Sequence, residues 1–167
     1  MTDQPFDPFA AFDPETLVMS DPVEIEAPAE LVWKILTDLP RYNEWNPFCV
    51  SAVSTLEMGA PVHMHLVNYA NPGSIFYNCE YVCALEPGRL LSWEYPDDPA
   101  WPYPSRRDQI IEPLGAERCR YQSTDAFLGP NGIHVMRFAG PWVTRAFNDT
   151  ARALKQRAEA MHSGALS

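Results

Sequence analysis

Basic residues are few. Lys and Arg total 12 against 22 Asp and Glu, a net charge of −10 over 167 residues. Nucleic acid and anionic membrane surfaces are held by basic patches, so neither is expected as a partner. No run reaches the roughly 18–20 apolar residues of a membrane span. The opening stretch MTDQPFDPFAAFDP is acidic and lacks the basic start of a secretion signal, which points to a cytoplasmic protein. Cysteine is limited to Cys49, Cys79, Cys83 and Cys119, with no CxxC pair. A metal cluster or dithiol redox centre needs tighter grouping, so the four are read as reduced thiols and no metal is expected. A Ser–His–Asp set, a phosphate-binding glycine loop and a dinucleotide fingerprint are also missing, and no cofactor is expected.

Proline, by contrast, is plentiful: 17 residues, about twice the usual share of about 5%. The prolines are spread as punctuation between short apolar segments, the pattern of many elements joined by tight turns. Hydrophobic residues make up 46% and charged residues 20%, enough for a globular core in a chain of one domain's length.

Residues 1–14 carry Phe6, Phe9 and Phe12 at a spacing of three. Two readings stay open for them: an arm that docks its phenylalanines on the body, or a disordered leader. Leu17 to Ile25 reads as a strand broken at Asp21-Pro22. Pro28 suits a helix start, and Leu31, Val32, Ile35 and Leu36 recur at helical spacing. Thr37-Asp38 ends that helix and begins a second short one, which Asn46-Pro47 closes. The period then becomes two through six strand-like runs between Val50 and Phe127. After Gly132 it returns to that of a helix as far as about Met161, with Pro141 expected to kink this helix or mark its true start. Consecutive strands with segregated helices mean an α+β fold, its antiparallel sheet curved round the long C-terminal helix.

Four stretches resemble the SRPBCC superfamily (START-like, or birch-pollen-allergen-like), within it the polyketide cyclase/dehydrase and lipid transport type. They are Ile25 to Asp38, Arg41-Tyr-Asn-Glu-Trp45-Asn-Pro-Phe48, Glu86-Pro-Gly-Arg-Leu-Leu-Ser-Trp93, and Asp125-Ala-Phe-Leu-Gly129 with the late Ala153-Leu-Lys155 and Ala158-Glu159. The resemblance implies a helix-grip fold, with two short helices after the first strand. It divides the chain into an N-terminal arm, 1–14, and a single START-like domain, 15–163. It does not choose among lipid carriers, receptors, aromatase/cyclases, ring-hydroxylase subunits and chaperone activators. The histidines are too few and misplaced for the two-His-and-carboxylate iron site of a ring hydroxylase.

Strand alternation assigns an inner face. In Ser74–Leu85 the odd residues Ile75, Tyr77, Cys79, Tyr81, Cys83 and Leu85 are read as inward, with Met64 of the preceding strand opposite Tyr77. Leu91, Trp93 and Tyr95 follow. Cys119, Tyr121, Ser123, Asp125 and Phe127 face in, which turns Arg107, Gln109 and Ile111 inward across the last hairpin. Arg107 and Asp125 fall close enough to pair. Two readings compete for them: an ion pair tying two strands together, or a polar anchor in an apolar cavity. Phe138 and Trp142 belong to the helix stripe opposite. His63 and His65 share the outer face and are read as surface residues. His134 opens the long helix and is a candidate for acid–base work.

The expected function is binding of a small hydrophobic molecule, an aromatic polyketide, lipid or sterol-like compound, in an internal cavity. Met64, Tyr77, Cys79, Tyr81, Trp93, Tyr95, Gln109, Ser123, Phe138 and Trp142 would line it. Whether the cavity also does chemistry stays open. A cyclase, dehydratase or lyase would use Asp125, Arg107, Tyr121 and His134 for proton transfer and carbonyl polarisation. The alternative is a chaperone activator or other protein-binding module, with a cavity filled by its own side chains. Monomer and homodimer are equally compatible with the sequence.

Overall fold

The computed structural model describes residues 6–167. Eight strands form one antiparallel sheet: β1 (Leu17–Met19), β2 (Val23–Ile25), β3 (Cys49–Val53), β4 (Pro61–Val67), β5 (Ile75–Glu86), β6 (Leu90–Tyr95), β7 (Ser105–Gly115) and β8 (Arg118–Phe127). Their order is β1-β8-β7-β6-β5-β4-β3, and β2 continues the β1 edge along β8. A short helix, α1 (Pro8–Ala11), precedes the sheet. Helix α2 (Ala29–Thr37) and a 3-10 turn, Leu39–Glu44, lie between β2 and β3. The chain ends in α3 (Gly132–His162), 31 residues long, which packs along the concave face of the sheet. This is the helix-grip arrangement expected from the sequence.

Local chemistry accounts for the elements. Helix α2 follows Pro28 and buries Val32, Ile35 and Leu36, the stripe its spacing predicted. Asn46 Oδ1 closes the turn into β3 by accepting from the backbone N–H groups of Phe48, at 3.0 Å, and Cys49, at 2.8 Å. Glu86 to Arg89 forms the turn between β5 and β6, with Pro87 setting the first central position and Gly88, at φ +74°, the second. Helix α3 begins at Gly132 and runs through Pro141 without ending there.

The core lies between α3 and the concave face. Val62, Met64, Leu66, Leu91, Trp93, Ile111 and Tyr121 from the sheet meet Val143, Ala146, Phe147, Ala151 and Leu154 of the helix, all of them buried.

The faces of β6, β7 and β8 are those read from alternation. The upstream half of β5 is not. His65 stands opposite Tyr77 and His63 opposite Cys79, while Val62 pairs Glu80 and Met64 pairs Asn78. Tyr77, Cys79 and Tyr81 therefore lie on the convex face with the two histidines. His63 Nδ1 is 2.7 Å from the Tyr77 hydroxyl. Phe76, Asn78, Glu80 and Val82 face inward instead. A bulge between Val82 and Ala84 restores the expected phase, so that Leu85 pairs the inward Leu91.

The N-terminal segment from Phe6 onward docks on the convex face. The Arg106 guanidinium carbon lies 4.2 Å from the centre of the Phe6 ring and 6.0 Å from that of Phe12. Arg106 also bridges Asp108 at 3.0 Å, and Asp108 accepts a hydrogen bond from Ser92; both Asp108 and Ser92 are fully buried.

Candidate functional site

The sheet and α3 diverge at one end of the grip and leave a cavity of about 500 Å³. Its wall is aromatic: Tyr95 from β6, Trp101 and Tyr103 from the proline-rich β6–β7 loop, Phe127 from β8, and Val135 and Phe138 from α3. Asn78, Ser105 and His134 supply the polar positions. The loop is held over the opening by two bonds. Asn131 Nδ2 donates to the Pro102 carbonyl at 2.9 Å, and Leu128 N–H donates to the Pro104 carbonyl at 2.9 Å. Phe138 remains 80% exposed on the rim.

Charge lies one layer deeper. Two residues inward from Asn78, Ser105 and Phe127, on the same face of their strands, stand Glu80, Arg107 and Asp125. The Glu80 side chain is 4% exposed and that of Arg107 11%. Asp125 is 6% exposed. Arg107 Nη2 bridges Glu80 Oε1 at 3.3 Å, and Asn78 Nδ2 donates to the same oxygen at 2.8 Å. The guanidinium lies beside two aromatic rings, 5.5 Å from the centre of Phe48 and 5.3 Å from that of Phe147. Asp125 pairs Arg107 across β7 and β8 as the sequence predicted, but the ion pair itself forms with Glu80.

Several buried polar atoms in this layer have no partner: Glu80 Oε2, Arg107 Nε, Asp125 Oδ1, and Gln109 Nε2 just below. Unpartnered buried polar atoms are costly in a fold. Burial pushes the Asp125 carboxyl up to about 8; Arg107 opposes this, and the charges of Glu80 and Asp108 add to it. Burial likewise raises Glu80, with Arg107 and Asn78 pulling it back. A single guanidinium faces two carboxyl groups, so it can offset the charge of only one of them.

Beneath the charged layer a small space of about 20 Å³, room for one water, is bordered by Arg107, Gln109, Tyr121, Ser123, Trp93 and Thr150, among others.

The structure therefore divides the residues singled out in the sequence. Tyr95, His134 and Phe138 line the open cavity. Arg107 and Asp125 belong to the charged layer. Trp93, Gln109, Tyr121 and Ser123 border the inner space. Met64 is packed in the core, and Trp142 lies half-buried beside Phe48; neither borders the cavity. Tyr77, Cys79 and Tyr81 are on the far side of the sheet. Glu80, Asn78, Ser105, Phe127 and the loop aromatics Trp101 and Tyr103 were not read from the sequence as cavity residues. For Glu80 one signal was present: it shares its parity with Phe76 and Val82.

Residues 16–159 match the family described as polyketide cyclase / dehydrase and lipid transport. The chain belongs to this family. Among solved structures it is similar to the Zhui aromatase/cyclase from Streptomyces sp. R1128, with 22% identity and a TM-score of 0.66 over 86% of this chain and 93% of that one. A START superfamily protein from Mycobacterium smegmatis matches at 18% identity and TM-score 0.65, over 87% and 98%. The di-domain aromatase/cyclase BexL of the BE-7585A biosynthetic pathway matches at 18% identity and TM-score 0.64, over 87% of this chain and 47% of that one. At these identities the likeness is one of fold. No curated protein matches the chain at a significant level. Among the described residues, no helix is long and apolar enough to cross a membrane.

Proposed function

We propose that this member of the polyketide cyclase / dehydrase and lipid transport family binds a small hydrophobic molecule, of the aromatic polyketide, lipid or sterol-like kind, in the cavity between β6, β7 and the start of α3. One observation carries the reading: an aromatic-walled space of about 500 Å³ is lined by Asn78, Ser105 and Phe127, and two residues deeper on the same strands lies a buried layer of Glu80, Arg107 and Asp125 whose polar atoms are incompletely partnered. The aromatic wall takes an apolar body by area burial and ring contacts. The layer beneath orients a carbonyl or hydroxyl. A protein-binding module of this fold would fill the cavity with its own side chains, and this cavity is not so filled.

The same layer supports chemistry of the cyclase or dehydratase type. In this reading Asp125, whose carboxyl is pushed up by burial, would donate a proton or a hydrogen bond to a carbonyl oxygen, and His134 at the rim would be a second group for acid–base work. Tyr121 sits below the layer with its phenol raised by burial and so stays protonated, a hydrogen-bond donor rather than a base.

The test is titration with 6-propionyl-2-(dimethylamino)naphthalene, an uncharged aryl ketone whose emission reports an apolar site. The wild type is expected to bind it saturably at one site. Val135→Trp, which fills the cavity from α3, should abolish binding with its melting temperature retained. Saturable binding that survives Val135→Trp would refute the placement, and absence of binding by the wild type would refute the reading.

A further inference from the structure

In the sequence Arg107 and Asp125 fall close enough to pair, either as an ion pair tying two strands or as a polar anchor. The structure instead turns Arg107 to Glu80. Glu80 comes from β5, two strands from Arg107, and reaches it beneath the cavity floor. Its other contact, from Asn78 Nδ2, fixes the carboxylate from the cavity side. The rings of Phe48 and Phe147, whose centres are 6.1 Å apart, both lie beside the guanidinium.

We infer that Glu80 is a specificity-determining residue: by pairing with Arg107 from within the protein it leaves that guanidinium no free charge to offer and closes the site to carboxylate ligands, in favour of carbonyl compounds. The inference deepens the binding reading given above and rests on it for its ligand. The physical argument is one of desolvation. A ligand carboxylate entering this cavity loses water and needs a free cation to replace it. Arg107 is the cation of the floor, and an internal carboxylate already holds it. A carbonyl oxygen loses less on entry and accepts a hydrogen bond from a protonated Asp125.

The groups that face Asp125 are consistent with its neutral state. Arg107 and Glu80 lie on its own side of the sheet, Asp108 acts through the sheet from the convex side, and Tyr121 is the titratable neighbour on its own strand. The negative charges of Glu80 and Asp108 oppose ionisation of Asp125, and Arg107, already paired, only partly offsets them.

Two measurements test the inference. The first needs no ligand: carbon-13 NMR titration of the side-chain carboxyl groups. In the wild type Glu80 is expected to be ionised and Asp125 protonated at pH 7. In Glu80→Gln, Arg107 should turn to its cross-strand neighbour, and the Asp125 midpoint should fall by more than one pH unit. Reversed ionisation in the wild type, or an unmoved Asp125 midpoint in Glu80→Gln, would overturn the assignment.

The second displaces the bound fluorescent ketone with 2-acetylnaphthalene or with 2-naphthoate, which differ at the group offered to the floor. The wild type and Asp125→Asn should both prefer the ketone by about tenfold or more. Glu80→Gln/Asp125→Asn, in which Arg107 has no internal partner, should shift preference toward the carboxylate by about tenfold. A wild type that takes both compounds equally, or a double variant with unchanged preference, would overturn the inference. If the double variant does not fold, the wild-type preference and the carboxyl titration decide it. If the wild type binds neither compound, the binding reading fails, and the titration alone decides the charge assignment.

Discussion

Arg107 and Asp125 stand opposite each other across β7 and β8, yet the guanidinium gives its ion pair to Glu80, 3.3 Å away, and Asp125 Oδ1 is left without a partner. A buried acid in this position costs the fold stability once it must ionise. Its folded value, about 8, lies above the ordinary 3.8, so the folded state holds a proton that the unfolded chain releases above pH 4. Stability from this group is therefore fully present below about pH 4 and is lost as pH rises toward 8. Asp125→Asn removes the titration. Urea unfolding at pH 5, 6, 7 and 8 should show the variant gaining on the wild type by on the order of 1 kcal/mol per pH unit, levelling off above pH 8. A difference independent of pH would mean that Asp125 is already ionised.

Helix-grip architecture was legible because it depends on coarse features: the switch of period at Val50 and again at Gly132, and prolines marking the turns. The inner face of β7 and β8 was equally legible, since Ile111, Tyr121 and Phe127 leave one phase for the hairpin. The upstream half of β5 was not. Its odd residues Tyr77, Cys79 and Tyr81 are the more apolar set, and alternation sends that set inward. In the structure these side chains cover the convex face beside His63 and His65, while the inward phase contains a charged residue. Glu80 is inside because Arg107 is inside, and that pairing joins residues 27 positions apart, beyond the reach of any local pattern. The bulge at Val82 to Ala84 concealed the error, because Leu85 faces inward on either reading.

The N-terminal arm shows the same limit. The spacing of Phe6, Phe9 and Phe12 left docking and disorder equally open, since the partner that decides between them, Arg106, is distant in sequence. Phe6 and Phe12 meet edge to face at 6.2 Å and hold the Arg106 guanidinium over buried Asp108. Phe6→Ala/Phe12→Ala should lower the unfolding free energy by about 1–3 kcal/mol, from two ring contacts and the lost cover. Arg106→Met should cost more, about 3–5 kcal/mol, because it strands a buried carboxylate. Chemical denaturation at pH 7 measures both. Equal losses would mean that the arm, and not the ion pair, carries the stability of this face.

The start of α3 depends on a missing side chain. A Cβ added at Gly132 would lie 2.3 Å from the Phe127 carbonyl oxygen, a backbone atom that cannot move without shifting the end of β8. Phe127 also walls the cavity. Gly132→Ala is expected to destabilise by about 1–3 kcal/mol and to weaken binding of the fluorescent ketone, whereas Gly115→Ala, with nothing within 4 Å of the new methyl, should stay within about 0.5 kcal/mol. Paired melting curves and ketone titrations check this. A neutral Gly132→Ala would show that helix and strand can separate at this joint.

All four cysteines are free, and they differ in reach. Cys49 and Cys119 are buried, and burial pushes both thiols up to about 11. Cys83, half-buried on β5, is raised to about 12, also by burial. The thiolate is the reactive form, so at pH 8 all three are held far below the reactivity of an exposed cysteine. A disulfide-exchange reagent added to the denatured protein without reductant should release four equivalents. On the native protein at pH 8, Cys49 and Cys119 should react at the rate of global unfolding, so conditions that slow unfolding should slow them in proportion. Finding two equivalents on denaturation would reveal a disulfide that the structure does not contain. Fast native reaction at Cys49, which borders the inner space beside Arg107, would show that this space opens to solvent without unfolding of the sheet.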